Sequence, residues 1–209
     1  MYKAIDTVIQ QDLSAFIEQV QTEREDGTAT GKGSSEVYSS RRGVLLLENG
    51  TMLEGTSFGY VGETAGEVVF STGMVGYPES MTDASFAGQI LIMTYPLIGN
   101  YGVPDRSLWE SDKIQVAGLI VSDYVDTPSH TQSVMSLSSW LQQEKIPALE
   151  IKDTRFLTQH IRKHGTMLGK IIFTSDIPFH DPNEENLVAQ VSTQEIIDEG
   201  EGDTTIVLI

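Results

Sequence analysis

Residues 66–104 constrain the fold of this chain more than any other part of its 209 residues. Within this stretch, residues 68–70 and 90–93 are short apolar runs bounded by Gly, Pro, Asn or Asp. Runs of this kind are typical of buried strands that end in tight turns. The stretch therefore predicts two buried strands, with turns at Gly73, Gly76, Gly99 and Gly102. These turns either shape a functional edge of the sheet or only specify the fold.

A β-hairpin is predicted before this stretch. Residues 44–47 and 51–58 are strand-like runs on either side of Asn49-Gly50. The pair Asn-Gly is typical of a type I′ turn, in which both central residues have a positive φ. The sequence therefore predicts a two-residue turn at this position.

The same signals predict two further strands and two helices, the strands at residues 116–122 and 169–173 and the helices at residues 137–144 and 154–164. The second helix has the clearest boundaries. Asp153 stands at its N-cap position, and Gly165 follows it where a C′ residue belongs. Together these elements indicate an α/β fold with a strand-rich core and a few helices.

Four segments are distinguished by composition. Residues 1–25 form an amphipathic helix, because apolar residues recur every three or four positions. Residues 26–41, rich in Gly, Ser and Thr, form a flexible linker. Residues 42–175 hold the strand and helix signals. Residues 176–209 form an acidic connector without Lys or Arg, and its end, residues 204–209, resembles the first strand of a missing further domain.

The N-terminal helix has two interpretations. It either packs on its own domain, which is the favoured interpretation, or binds a partner. The linker contains too few large apolar residues to join a core. We therefore expect the residues before about Ser40 to be dispensable for folding.

Charge and composition exclude several classes of function. The formal net charge of −17 repels phosphate backbones, so no nucleic-acid partner is expected. No apolar run approaches the roughly 18 residues of a membrane span, and the acidic N-terminus is unlike a transit peptide, so we expect no membrane partner and a cytoplasmic location. The chain has no cysteine, which excludes disulfides, thiolate metal sites and a cysteine nucleophile.

Three sequence patterns suggest chemistry but have simpler explanations. Residues 27–34 resemble a phosphate loop with the wrong glycine spacing, and they are interpreted as linker. His160 and His164 have a metal-ligand spacing, but Arg and Lys lie between them, which favours a solvated helix end. Ser129 precedes His130 without a nucleophile elbow. We therefore predict no metal site and no catalytic residue in this chain.

A set of motifs is distributed over residues 42–173, namely residues 66–104, Thr127-Pro128-Ser129-His130, Trp140-Leu141-Gln142-Gln143, Ile146-Pro147-Ala148, Asp153-Thr154-Arg155, Leu157-Thr158 and Gly165-Thr166-Met167-Leu168-Gly169-Lys170. Together these motifs resemble the N-terminal domain of the glutamine-hydrolysing carbamoyl-phosphate synthetase small subunit. The amino-acid sequences of these motifs are most similar to those of the eukaryotic fused, pyrimidine-pathway form. The resemblance implies a swivelling β/β/α domain.

The resemblance implies that separate domains carry out separate steps. In the family, a following glutaminase domain releases ammonia, and a synthetase combines the ammonia with bicarbonate at the expense of ATP. The domain that this chain resembles mainly docks the glutaminase onto the synthetase. The expected partners are therefore the glutaminase domain and the synthetase large subunit or region, and ATP and magnesium belong to the synthetase rather than to this chain.

Ser85 is the one site residue that the resemblance implies. It occupies the serine position of the family's Thr-Asp-Pro-Ser-Tyr motif, which contributes to binding the substrate L-glutamine. This chain reads Thr82-Asp83-Ala84-Ser85-Phe86, so it lacks the family's proline and phenol. The alternative is that Ser85 only satisfies a turn opened by Asp83.

Three functions remain open at this stage. The first is an assembly domain of carbamoyl-phosphate synthetase, inactive alone and serving either the arginine or the pyrimidine pathway. The second is a freestanding protein that binds the synthetase and regulates it. The third is an autonomous serine hydrolase that uses Ser129 and His130.

Overall fold

The computed structural model describes residues 2–25, 42–197, 200, 202, 204 and 206. Its seven strands are β1 (Arg42–Leu47), β2 (Met52–Ser57), β3 (Thr64–Ser71), β4 (Gln89–Met93), β5 (Gly118–Val121), β6 (Ala148–Glu150) and β7 (Met167–Ile172). Its five α-helices are α1 (Tyr2–Glu25), α2 (Tyr77–Thr82), α3 (Leu137–Gln143), α4 (Thr154–His164) and α5 (Leu187–Val191). Short 3₁₀ turns lie at Ala84–Phe86, Arg106–Leu108 and Pro182–Glu184.

The strands close into a barrel in the order β1-β2-β6-β5-β4-β3-β7, and β7 pairs with β1 to complete it. The run β3-β4-β5-β6 is parallel, and the other pairings are antiparallel. The predicted α/β fold with a strand-rich core is confirmed.

The core of the barrel follows from the two-residue period of its strands. Ile90 and Ile92 of β4 belong to a buried cluster that receives side chains from strands all round the barrel, and this cluster fills its interior. Leu91 and Met93 point the opposite way and pack with α2 and α3 through Met81, Leu137 and other buried side chains. Because both faces of β4 are covered, its sequence is a continuous apolar run.

Helix α1 covers another part of the outer surface. Its buried side chains Leu13, Phe16 and Val20 form one cluster with Val44, Leu46 and Ile172 of β1 and β7. This packing agrees with the favoured interpretation that the helix docks on its own domain. It disagrees with the expectation that the residues before about Ser40 are dispensable, because removing α1 would expose the apolar outer faces of two strands.

The hairpin β1-β2 is confirmed, with Leu46 opposite Met52, but the predicted turn type is wrong. Of the two turn residues, only Gly50 has a positive φ, at 88°. The Gly50 N–H donates to the carbonyl of Leu47 at 2.9 Å, and the Leu47 N–H donates to Thr51 at 2.9 Å. This is a three-residue loop in which Gly50 provides the left-handed residue after a type I turn.

The remaining predicted elements are present within one to four residues of their predicted ends, and α4 has the predicted bounds. The Asp153 side chain accepts from the Phe156 N–H at 2.9 Å, as an N-cap residue does. The sequence analysis missed β6, α2 and α5.

Some predictions concern residues outside the described part of the chain. These are the linker at residues 26–41, the loop at residues 27–34, and the C-terminal strand, of which only Thr204 and Ile206 are described. The division into four segments stays a prediction. Among the described helices, none is long and apolar enough to cross a membrane.

Candidate functional site

Two clefts lie at opposite ends of the parallel strands. The Ser85 cleft, of about 400 Å³, lies at the start of β4 and includes Ser85 and Gln89. The Glu79 cleft, of about 300 Å³, is formed by segments that follow β3, β4 and β5, and it includes Glu79, Tyr101 and His130. Because the three strands are parallel, these following segments meet at one end of the barrel. The start of β4 lies at the other end.

Ser85 lies in the 3₁₀ turn Ala84–Phe86, and its side chain is exposed. The Asp83 carboxylate accepts from the Ser85 N–H at 2.8 Å and thereby fixes the backbone of the turn. The Phe86 ring packs against the cluster under α2 and α3. Asp83 and Phe86 therefore position the turn, and the exposed Ser85 residue lines the cleft.

The other side of the Ser85 cleft comes from the C-terminal connector, through Pro182, Leu187 and Val191 among other residues. The connector approaches the turn closely, because a Cβ atom added to Gly88 would lie 2.9 Å from Pro182 Cβ. Gly88 also has a φ of 74°, which favours glycine. The chain therefore passes beside Ser85 on its way towards its C-terminal residues.

Glu63 fixes the residues that leave β7. Its Oε1 accepts from the N–H groups of Thr174 and Ser175 at 3.0 and 3.1 Å and also from their hydroxyls. Burial raises the pKa of Glu63, but the hydrogen bonds from Thr174 and Ser175 outweigh burial and leave this pKa below its usual value. The carboxylate therefore stays charged at neutral pH and orders the start of the connector.

Lys170 of β7 holds the next residues. It is only 3% exposed, and its ammonium pairs with the carboxylate of Asp176. It also donates to the carbonyl of Ile177 at 2.8 Å and lies 4.6 Å from the centre of the Phe179 ring. A buried ammonium needs such partners, because its charge is costly away from water.

Tyr101 lines the Glu79 cleft and packs on the buried Tyr77. The rings of Tyr77 and Tyr101 are stacked, with their centres 4.4 Å apart. The Tyr101 hydroxyl accepts from the N–H groups of Gly76 and Tyr77 at 2.8 and 3.1 Å. Burial raises the pKa of Tyr101, so its hydroxyl stays protonated. Gly76 has a φ of 84° and is the N-cap residue of α2, which brings Glu79 to the cleft.

Glu79 differs from the other carboxylates described here. Its Oε2 is buried and has no hydrogen-bond partner. Among the described residues, Trp140 Nε1 is the other buried side-chain nitrogen or oxygen in this condition. An unpartnered buried carboxylate oxygen is unusual, since buried polar atoms are nearly always hydrogen-bonded. Sequence analysis missed this residue, because no sequence signal reports a missing partner.

The other sequence candidates do not assemble into catalytic or metal sites. The Ser129 N–H donates to the Asn100 carbonyl at 3.0 Å, while His130 Nδ1 accepts from the Gln132 N–H at 3.2 Å. His160 and His164 lie near each other at the end of α4, and His160 Nε2 lies 2.7 Å from Asn49 Nδ2. Among the described residues, no group of three or more His, Asp or Glu side chains could hold a metal ion.

Comparison with known proteins finds extensive similarity. The family model for the CPSase domain of the carbamoyl-phosphate synthase small chain matches residues 45–171. The chain is 48% identical over 174 residues to the mitochondrial carbamoyl-phosphate synthase [ammonia] of Mus musculus, an alignment that covers 78% of this chain and 12% of that protein. It is 46% identical over 189 residues to multifunctional protein URA2 of Saccharomyces cerevisiae, which covers 77% of this chain and 8% of that protein. The chain thus spans about a tenth of the length of these curated relatives.

Proposed function

Because the chain belongs to the carbamoyl-phosphate synthase small-chain family, we propose that it is the assembly domain of a glutamine-hydrolysing carbamoyl-phosphate synthetase. In this role it docks a glutaminase domain onto the synthetase region, and the whole enzyme makes carbamoyl phosphate from glutamine, bicarbonate and ATP. ATP and magnesium bind the synthetase region. The enzyme serves pyrimidine synthesis and acts in the cytoplasm.

The observation that carries this proposal is the position of Ser85 beside the connector. The exposed Ser85 side chain shares a cleft with Pro182 and Leu187, which belong to the segment that leads away from the barrel. We therefore expect a glutaminase domain that follows this segment to lie next to Ser85. The contacts of Glu63 and Lys170 restrict the direction in which the segment leaves.

Ser85 completes the glutamine site of that neighbouring domain. A hydroxyl can donate to the α-carboxylate of glutamine and accept from its α-ammonium group. The Asp83 contact leaves this hydroxyl free for the ligand, since Asp83 binds the Ser85 backbone and not its side chain. Ser85 is therefore a binding residue and not a nucleophile.

The chain alone should not release ammonia from glutamine. It contains no cysteine, and amide hydrolysis by a glutaminase requires an activated nucleophile. Ammonia release by the purified chain, in an assay that also detects the assembled enzyme, would contradict the assembly role. A serine-reactive probe on Ser129 would then test the hydrolase alternative.

The role of Ser85 is tested by Ser85→Ala in the chain assembled with its glutaminase and synthetase. Losing a hydrogen bond to a charged group, worth about 1.5–3 kcal/mol, should raise the glutamine requirement about 10- to 150-fold. Synthesis from free ammonia should not change, because ammonia bypasses the glutamine site. Ser129→Ala, an exposed serine on another loop, is the matched control and should change neither rate.

Three outcomes would contradict parts of the proposal. If the glutamine- and ammonia-driven rates fall together, Ser85 has a structural role. If neither changes, the Ser85 hydroxyl does not face glutamine. If the unaltered enzyme uses ammonia but not glutamine, the glutamine-hydrolysing assignment is wrong, and the protein functions with ammonia as the name of its Mus musculus relative indicates.

A further inference from the structure

We propose that the Glu79 cleft is the docking site for an arginine or lysine side chain of the synthetase region. This inference rests on the proposed function and specifies which surface meets the synthetase. The occupant is identified by charge and shape, namely a cationic group at the end of an aliphatic stem.

Glu79 Oε2 is buried without a hydrogen-bond partner. Other partly buried glutamates on the barrel have partners, such as Glu67 with the Gln89 amide at 2.7 Å and Glu150 with the Tyr124 N–H at 3.3 Å. A buried carboxylate without a donor is costly, and a donor supplied from outside removes that cost. Cationic donors form the strongest bonds of this type.

His130 lines the cleft, and the arginine or lysine nearest in sequence to the lining residues is already engaged. Arg106 donates to the Asp112 carbonyl and lies 5.9 Å from the centre of the Trp109 ring. The chain has only 13 Lys and Arg against 30 Asp and Glu, so its surface attracts basic partners in general. The Glu79 cleft provides a defined position for one of their charges.

The rim of the Glu79 cleft is apolar. Val75 and Leu108 line the cleft and are 76% and 54% exposed, and the adjoining Met74 is 64% exposed. Exposed large apolar side chains beside a cleft are typical of interaction surfaces. The methylene stem of an arginine or lysine can pack along them while its charged end reaches Glu79.

The position of the cleft selects the synthetase over the glutaminase. The connector lines the Ser85 cleft, whereas the residues that line the Glu79 cleft all lie between Val75 and Gln132. The two clefts are separated by the length of β4, about 17 Å for its five residues. A glutaminase that meets Ser85 therefore leaves the Glu79 end of the barrel for the other partner.

The test measures binding of the synthetase region to this chain joined to its glutaminase domain. Glu79→Gln keeps the size of the side chain and removes its charge, and it should weaken binding about tenfold or more. Glu144→Gln, at an exposed glutamate just after α3, is the matched control and should bind normally. Glu79→Gln should not lower the melting temperature of the chain, because Oε2 has no internal partner to lose.

A second variant tests the rim independently of the charge. Leu108→Ala removes an exposed side chain and should also weaken synthetase binding several-fold without affecting folding. Normal synthetase binding by both Glu79→Gln and Leu108→Ala would overturn the docking site. Loss of glutaminase contact instead of synthetase binding would overturn the choice of partner. If the unaltered chain does not bind the synthetase at all, the proposed function fails, and this result is distinguishable from a failure of the cleft alone.

Discussion

Helix α1 and the segment that follows β7 are held on the barrel by different means. Helix α1 packs on the outer face around Ile172 through Leu13, Phe16 and Val20, and these contacts are apolar. The segment after β7 is held by charged groups instead. Lys170 pairs with Asp176, and the Glu63 carboxylate accepts hydrogen bonds from Thr174 and Ser175.

This difference shows what each attachment can specify. Apolar contacts are non-directional, so they keep α1 on the barrel and tolerate small shifts of the helix. Hydrogen bonds and ion pairs depend on direction and distance, so they fix the path of the chain as it leaves β7. A fixed exit path is what a domain requires if it positions a neighbour, whereas a covering helix only has to exclude water.

The comparison is tested most strongly by deleting residues 2–25. Burying Leu13, Phe16 and Val20 stabilises the fold by about 1.5–3 kcal/mol each, and ordering the helix offsets part of this gain. We expect the deletion to lower the free energy of unfolding by about 4 kcal/mol, measured by urea denaturation. Leu13→Ala should reproduce about 3 kcal/mol of this loss in the full chain. A deletion variant as stable as the full chain would show that α1 is dispensable after all.

The second test separates the charge of Lys170 from its packing. Asp176→Ala leaves a buried ammonium without its carboxylate and should cost about 3 kcal/mol. Lys170→Met combined with Asp176→Ala should recover at least half of that loss, because an apolar side chain then fills the site. If the double variant is less stable than Asp176→Ala alone, the ion pair contributes through its geometry and our account of a desolvation cost is wrong.

The third test concerns Glu63, whose replacement by Gln should cost about 2 kcal/mol at pH 7 through the weaker bonds from Thr174 and Ser175. Because the folded pKa lies below the ordinary 4.5, the carboxylate stabilises the fold above that pH, and this contribution is lost as pH falls through the folded value. The stability difference between the two proteins should therefore close below pH 4.5. A difference that is constant with pH would exclude a role for the charge.

The smallest effect is expected where the two segments meet. Gln21 of α1 donates to the Thr174 carbonyl at 3.3 Å, an exposed contact between the helix and the start of the exit path. Gln21→Ala should change the free energy of unfolding by about 0.5 kcal/mol or less. A larger loss, with Gln11→Ala as the exposed control on the same helix, would mean that the two attachments are coupled.

Local signals explain what the sequence predicted correctly. Asp153 caps α4, and the Gly165 N–H donates to the Ile161 carbonyl at the other end, so both boundaries are encoded by neighbouring residues. Non-local pairing explains what was missed, since β6 has only three residues and forms because β2 and β5 lie on its two sides. Pro78 in the first turn of α2 is a helix-start signal, but it lies in a stretch for which only strands and turns were predicted.

The candidate site shows the same limit. Ser85 was identified as a site residue from its resemblance to the family motif. The sequence alone could not show that the connector lies beside it. Glu79 lies in the stretch that the sequence singled out, yet its missing partner is a property of the packed structure. Its neighbour Tyr101 comes from a loop that the sequence could not bring together with α2.

The closing strand of the barrel has a consequence for biosynthesis. β7 is the last strand of the barrel to be synthesised, and it pairs with β1, the first, as well as with β3. A nascent chain that has not yet released Met167–Ile172 from the ribosome therefore presents two unpaired strand edges, which can associate with other chains. Pausing of translation is thus safer once Ile172 has left the ribosome than before, and the domain can complete its fold only once nearly all of its residues have emerged.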